Sequence, residues 1–338
     1  MSSENFIRQG KDKLRAAGLV EQMISDQEGE LLPEVPGLGG AGNGISYERN
    51  REALSEYFIQ PRLVGNDFFP DTSIDLFGQK LSMPILAAPM SGIATNLRGL
   101  VEEEEFLTMV LEGCADAGTL GAFGDSYDTT AGYIGAKLMQ TNKGIAVLKP
   151  RIFEEISGRI EALKKSSIVA IGLDLDGVTG LLLESRRVGR KSKQDLKEIR
   201  SLFPGPMFLK GILNVEDASV AYEAGFDGVV VSNHGGRSID YCPAPATVLP
   251  AIVKKFKGKL KILADGGIRN GYDAFIYLAL GADAVMVGRT VLYGAVGGGR
   301  AGVGAVVSQL ASELTRAMVV TGCKNVEEIG KHSIKIYG

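Results

Sequence analysis

From Met83 onward the chain alternates short apolar runs with longer stretches in which apolar residues recur every three or four positions. Eight runs stand out, at 83–88, 118–123, 144–149, 168–176, 207–212, 228–233, 261–265 and 284–288. They are continuous Val/Ile/Leu/Ala blocks rather than apolar–polar alternations. That is the pattern of strands buried on both faces of a parallel sheet. The stretches Ile152–Ser166, Lys193–Leu202, Val215–Ala224 and Gly271–Leu280 carry helical spacing. Eight strand-then-helix units predict an α/β fold, the (β/α)8 TIM barrel. Residues 1–45 read as one amphipathic helix and a loop, with a flexible tract at Pro36–Gly44, and 46–59 read as helical. The expected organisation is an N-terminal helical and loop extension over 1–45 and one barrel domain over 46–338. The acidic run Glu102–Glu105 reads as a solvated helix face near the positive end of its helix.

Composition narrows the class. Glycine supplies 45 of 338 residues, about 13% against roughly 7% on average. There is no Gly-X-Y period, and proline is only 12, so the excess belongs to tight turns or close backbone approach. A net charge of −3 gives no general attraction to nucleic acid. No uncharged apolar run of ~18 residues appears, so no membrane span is expected. The polar start Met1–Arg8 is not a signal segment. Cys114, Cys242 and Cys323 are far apart and form no C-x-x-C. Neither a metal site nor a disulfide framework is expected, and a reducing cytoplasm fits. His234 and His332 are the only histidines, and the second lies in a C-terminal tail expected at the surface.

Barrel enzymes work at the C-terminal ends of their strands, and polar residues collect there. Ser232-Asn233-His234-Gly235-Gly236-Arg237 follows the sixth run. It offers a proton acceptor beside an arginine able to grip a carboxylate in a bidentate fashion. Asp265-Gly266-Gly267-Ile268-Arg269 and Gly288-Arg289 end the seventh and eighth runs, where barrels frequently bind phosphate. Lys210 points into the same mouth, to stabilise an anion, form a Schiff base or pair with a carboxylate such as Asp176. Alternation puts Asp174 and Asp176 on one side of their strand, where one can orient His234. Gly297–Gly302 matches G-x-G-x-x-G but lies after the last strand, without the acidic partner a dinucleotide site needs.

At Ser232–Arg237 the sequence resembles the FMN-dependent α-hydroxy acid oxidase/dehydrogenase family, whose signature is S-N-H-G-[AG]-R. The likeness continues through Leu209-Lys210-Gly211, Ala264–Gly271, Leu278–Ala282, Val287-Gly288-Arg289 and Gly322-Cys323, with Pro61-Arg62 and Met83–Pro89 earlier. It runs from about residue 46 to the end. The resemblance implies an FMN cofactor, a small 2-hydroxy acid or related carbinol as substrate, and a homo-oligomer, usually a tetramer. The electron acceptor stays open among oxygen, a quinone, a carrier protein or another flavoprotein. By position, His234 matches the base, Asp176 the carboxylate that stabilises its imidazolium, Arg237 the substrate-carboxylate clamp and Lys210 the lysine near flavin N1/O2. Ser232 lies under the ring system. Ala88, Pro89, Met90 and Ser91 match the backbone at the flavin's other edge. Asp265, Gly266, Gly267, Arg269, Gly288 and Arg289 match the ribityl and phosphate contacts.

Departures from the family are confined to the substrate side. The glycine tract Gly39–Gly44 occupies the place of a substrate-binding tyrosine. The third strand ends Ala146-Val147-Leu148-Lys149 instead of in a Q-x-Y pattern. Lys149 and Tyr127 are therefore candidate pocket residues, and Arg187, Arg190 and Lys191 are candidates for a second clamp. The loop after the fourth strand is short, which implies a more open site. Two other readings remain. One is an FMN barrel with isomerase-type chemistry, as in the similar type 2 isopentenyl diphosphate isomerases, which lack the His-Gly-Gly-Arg signature. The other is a phosphate-binding barrel without flavin.

Overall fold

A computed structural model describes residues 2–19, 38–126, 130–182 and 188–337. Helix α1 (Ser3–Ala16) and helix α2 (Ile45–Ser55) precede a short strand β1 (Tyr57–Ile59) and a hairpin of β2 (Ile74–Leu76) and β3 (Gln79–Leu81). The first barrel strand is β4 (Ile85–Ala87), followed by helices α3 (Ile93–Asn96) and α4 (Glu103–Asp116). Then come β5 (Gly121–Gly124), α5 (Thr130–Leu138), β6 (Gly144–Leu148), α6 (Phe153–Leu163) and β7 (Ile168–Asp174). The second half runs α7 (Lys193–Ser201), β8 (Met207–Ile212), α8 (Val215–Glu223), β9 (Gly228–Val231), α9 (Pro245–Phe256), β10 (Lys261–Ala264), α10 (Gly271–Ala279) and β11 (Ala284–Val287). Helix α11 (Arg289–Thr321) and strand β12 (Ile334–Ile336) end the chain.

Strands β4 to β11 form one parallel sheet in the order β4-β11-β10-β9-β8-β7-β6-β5. The Ala87 amide donating to the Leu120 carbonyl at 3.2 Å and a Met90–Phe123 bridge join its two edges, completing the barrel. All eight apolar runs become these strands. Continuity of the runs has a geometric cause. Alternate residues face two different apolar layers, with Leu86, Val230 and Leu263 inside the barrel and Ile85, Val229 and Ile262 under the helices. The β2–β3 hairpin plugs the N-terminal end. Phe77 and Gly78 turn it with φ of 52° and 73°, and Phe77 stacks on Phe208 at 5.8 Å. Two successive positive φ angles fit a tight two-residue turn.

Two expectations change. The helix expected over 46–59 stops at Ser55, because Tyr57–Ile59 pairs antiparallel with Ile334–Ile336 instead. Within the acidic run, Glu103 is buried. Its carboxylate accepts the amides of Gly92 at 3.1 Å and Ile93 at 2.6 Å. It thus caps the turn that follows the Ala88–Ser91 segment rather than meeting solvent.

The glycines at 297–299 have a structural use. Non-helical backbone at Gly298 and Gly299 kinks α11. Beside the kink, α1 crosses so closely that a Cβ on Gly297 would stand 1.9 Å from the Phe6 carbonyl oxygen. On Gly10 it would stand 2.1 Å from that of Tyr293. By length and composition α11 is apolar enough to cross a membrane. Its apolar side chains, among them Val291, Val303, Leu310 and Leu314, are buried in the protein's own core.

Candidate active site

The turn after β9 sets the site. His234, Gly235 and Gly236 have φ of 58°, 64° and 85°. A histidine rarely adopts this left-handed region, so the surroundings must hold it there. They do so through Asn233, which is fully buried. Its carboxamide exchanges hydrogen bonds of 2.8 and 2.9 Å with that of Asn50 on α2 and accepts the Gly236 amide at 2.9 Å. The His234 amide donates to the Ser232 hydroxyl at 3.0 Å. Three left-handed residues in a row reverse the chain, and His234 and Arg237 line one cavity. Asn50 was not visible as a functional residue in the sequence. An asparagine in a helix gives no sign of being buried until its partner is known.

Beneath His234 lies a dense charge network. Its Nδ1 is 3.0 Å from Asp176 Oδ1 and 3.6 Å from Asp174 Oδ2. Both carboxylates converge on the imidazole, with Asp176 the nearer. Lys210, the cation of β8, pairs with Asp174 at 3.0 Å and stands 3.9 Å from Asp176. Burial opposes the charge on Asp174, but Lys210, His234 and Lys149 outweigh it and hold the carboxyl well below the usual range. Burial likewise opposes the charge on Lys210. Asp174, Asp176 and Asp265 prevail and raise its affinity for the proton. Lys210 is therefore a fixed ammonium and no Schiff-base nucleophile, which would need a lowered value.

The same cleft offers a cradle suited to an anionic cofactor. Asp265 is buried, and its Oδ1 has no hydrogen-bond partner. Burial pushes its carboxyl above the usual range. Gly266 and Gly267 follow with φ of 96° and 78°, and the Tyr277 hydroxyl braces them by bonding the Asp265 and Gly266 carbonyls. At Gly288 the 33-residue helix α11 begins with no side-chain cap. Its positive end lies among the cavity residues, an arrangement suited to phosphate. Arg289 donates to the carbonyls of Leu38, Gly39 and Gly235 and lies 4.5 Å over the Tyr47 ring. Arg269 reaches the Tyr47 hydroxyl at 2.9 Å. Tyr47 was missed by the sequence reading, and it links Arg269 and Arg289. Ala88, Pro89, Met90 and Ser91 complete the lining. An orphaned buried carboxylate oxygen, a glycine cradle and an open helix N-terminus fit a phosphate-bearing cofactor with a polyhydroxyl chain.

The cleft encloses about 1070 Å³, its open mouth included. Lys149 lines it, with its ammonium 3.5 Å from Asp174 Oδ2. Arg237 also lines it and donates to Asn96 Oδ1 at 3.1 Å. Arg190 is exposed and does not belong to the lining. Lys191 spends its ammonium on the Gly189 carbonyl at 3.0 Å. Tyr127 and Arg187 lie outside the described residues. His332 is exposed.

A barrel that gathers an imidazole–carboxylate pair, a glycine turn and an uncapped helix N-terminus in one cleft fits an enzyme of the phosphate-cofactor class. The sequence model for FMN-dependent dehydrogenases matches residues 38–179 and 182–336, and the chain belongs to that family. L-lactate oxidase of Lactobacillus jensenii is 30% identical over 92% of this chain and 83% of its own. A peroxisomal (S)-2-hydroxy-acid oxidase of Oryza sativa subsp. japonica is 32% identical over 89% and 90%. Among solved structures, a putative lactate oxidase of Pediococcus acidilactici superposes with a TM-score of 0.81 at 25% identity, over 100% of this chain and 95% of that one. Mandelate oxidase with (S)-2-phenylpropionate gives 0.75 at 26% identity, over 99% and 97%.

Proposed function

We propose that the protein is an FMN-dependent oxidoreductase that converts a 2-hydroxy acid to the 2-oxo acid. The supporting observation is the 3.0 Å contact of His234 Nδ1 with Asp176, in one cleft with Arg237 and the open N-terminus of α11. With Nδ1–H donating to Asp176, Nε2 is the atom that accepts the substrate's proton, and the carboxylate stabilises the imidazolium that results. Arg237, held by Asn96, grips the substrate carboxylate. Asp265 and the Gly266–Gly267 turn would hold the ribityl chain, and Gly288, Arg269 and Arg289 would hold the phosphate. When bound, FMN supplies the acceptor for the substrate's electron pair. Lys210 contributes a permanent positive charge at the cavity wall, which favours the negative charge that reduction adds.

Two further parts of this reading concern the whole protein. A homo-oligomer is supported by the extended segment 60–70, where Leu63 is 78% exposed and Val64 and Phe69 are fully so. A reducing cytoplasm is supported by three free cysteines, two of them buried. The test of the activity is anaerobic titration of the purified yellow protein with a panel of 2-hydroxy acids. At least one acid bleaches the flavin, and His234→Gln keeps the flavin while slowing bleaching by about 10²–10⁴-fold. A protein that takes up no FMN, or a His234→Gln variant that bleaches at the full rate, overturns the reading.

A further inference from the structure

Lys149 follows β6, at a place where the chain departs from its family's pattern. Its position on the cavity wall invites a role as a second substrate clamp. The distances point elsewhere. The Lys149 ammonium lies 3.5 Å from Asp174 Oδ2, and His234 Nδ1 lies 3.6 Å from that same oxygen. The other oxygen, Oδ1, takes Lys210 at 3.0 Å. One buried carboxylate is thus shared by two lysines and the imidazole. Lys149 and Asp174 are both nearly enclosed, with side chains 6% and 7% exposed, so water screens the competition little.

We infer that Lys149 is a positioning residue that sets the basicity of His234 by competing with it for Asp174 Oδ2, and not a substrate clamp. The inference rests on His234 being the base of the proposed reaction. Around the imidazole stand Asp174 and Asp176 from β7 and the turn after it, Lys210 from β8, Lys149 just after β6 and Asp265 just after β10. Arg237 stands on its own loop, and Cys242 lies within the field of Asp176. Protonating His234 places a third cation on Asp174. Lys149 and the imidazole stand on one oxygen and Lys210 on the other, so removing the Lys149 charge removes a competitor of the imidazolium. Lys149 and His234 Nδ1 are within about 7 Å of each other through their common oxygen. At an effective dielectric of about 20, that repulsion moves a titration by roughly one to two pH units.

The chain's two histidines make the effect directly measurable. His332 is exposed and remote in sequence, so His332→Gln leaves His234 as the single imidazole. In that background, flavin-loaded protein carrying [13C]histidine is titrated by NMR with and without Lys149→Met, Lys149→Gln and Lys149→Arg. The neutral variants move the His234 midpoint up by about one unit or more. The acid limb of kcat/KM moves with it, because the base is lost at higher pH. Lys149→Arg keeps the charge and leaves the midpoint near that of the parent. A midpoint that stays put in the neutral variants while KM rises at every pH makes Lys149 a clamp and overturns the inference. So does a midpoint that moves as far with Lys149→Arg as with Lys149→Met. The titration needs no turnover, so its outcome is separate from the activity. A panel of hydroxy acids that never bleaches the flavin defeats the proposed reaction, whereas a stationary midpoint defeats only the role of Lys149.

Discussion

Asp265 sets stability against its proposed cofactor role at a single side chain. Its carboxyl is buried with one oxygen unpartnered, and burial raises its affinity for the proton. The folded protein therefore holds that proton more tightly than the unfolded chain does. Without flavin, folding stability contributed by the neutral carboxyl falls as pH rises from the ordinary carboxylate range, near about 4, through the raised folded-state value. Asp265→Asn removes that loss. Flavin-free Asp265→Asn protein should melt at a higher temperature than the parent at pH 7, and the gap should narrow towards pH 4. Flavin affinity should drop in the same variant. Melting curves across that range check the first point, and flavin retention on a desalting column checks the second. Asp174 behaves in the opposite sense. Its lowered value stabilises the fold above the ordinary carboxylate range, and that contribution is lost only as pH falls through the depressed folded-state value. At this scale the sequence was informative about residue type and position. His234, Arg237, Lys210, Asp174, Asp176 and Asp265 all stand at strand ends and meet. It was silent about Asn50, Asn96 and Tyr47, whose parts depend on partners 183, 141 and 222 residues away.

Helix α11 shows how one element serves two purposes. Its first turn points its positive end into the cofactor cradle, while its kinked middle receives α1 by glycine contact. Gly297→Ala puts a methyl group into the Phe6 carbonyl, and backbone cannot move aside as a flexible side chain can. The expected cost is roughly 1–3 kcal/mol or more, read as a lower melting temperature and faster proteolytic loss of α1. A variant as stable and as resistant as the parent removes this account of the glycine tract. The G-x-G-x-x-G spacing there is thus a packing feature. The barrel strands were legible because each is apolar on both faces. The strand Tyr57–Ile59 was not, because three residues carry too little periodicity to separate a strand from the end of a helix. Glu103 was misread for a related reason. An acidic run looks solvated until the amides of Gly92 and Ile93 are brought against it.

Across the whole molecule, the segment 60–70 carries the most exposed apolar side chains among the described residues. Leu63, Val64 and Phe69 face solvent, and the nearby β1–β12 ribbon leaves Phe58, Ile336 and Tyr337 exposed as well. These exposed apolar side chains are the ground for the proposed homo-oligomer. Leu63→Ser combined with Phe69→Ser should lower the mass found by light scattering after gel filtration, without loss of the barrel's circular dichroism. An unchanged mass removes this segment from any subunit interface. Charge and hydrophobic pattern alone determined the barrel, its strand order along the chain and the end at which chemistry gathers, because these follow from local periodicity and from the one way parallel strands and helices pack. Only the tertiary structure decided how the charges pair. Lys149 pairs with Asp174 at the cavity wall, Arg289 ties the Leu38–Gly39 carbonyls to the turn after β9, and three carboxylates surround Lys210. Ion pairing depends on distances of a few ångströms between residues far apart in sequence, and those distances exist only once the barrel has closed.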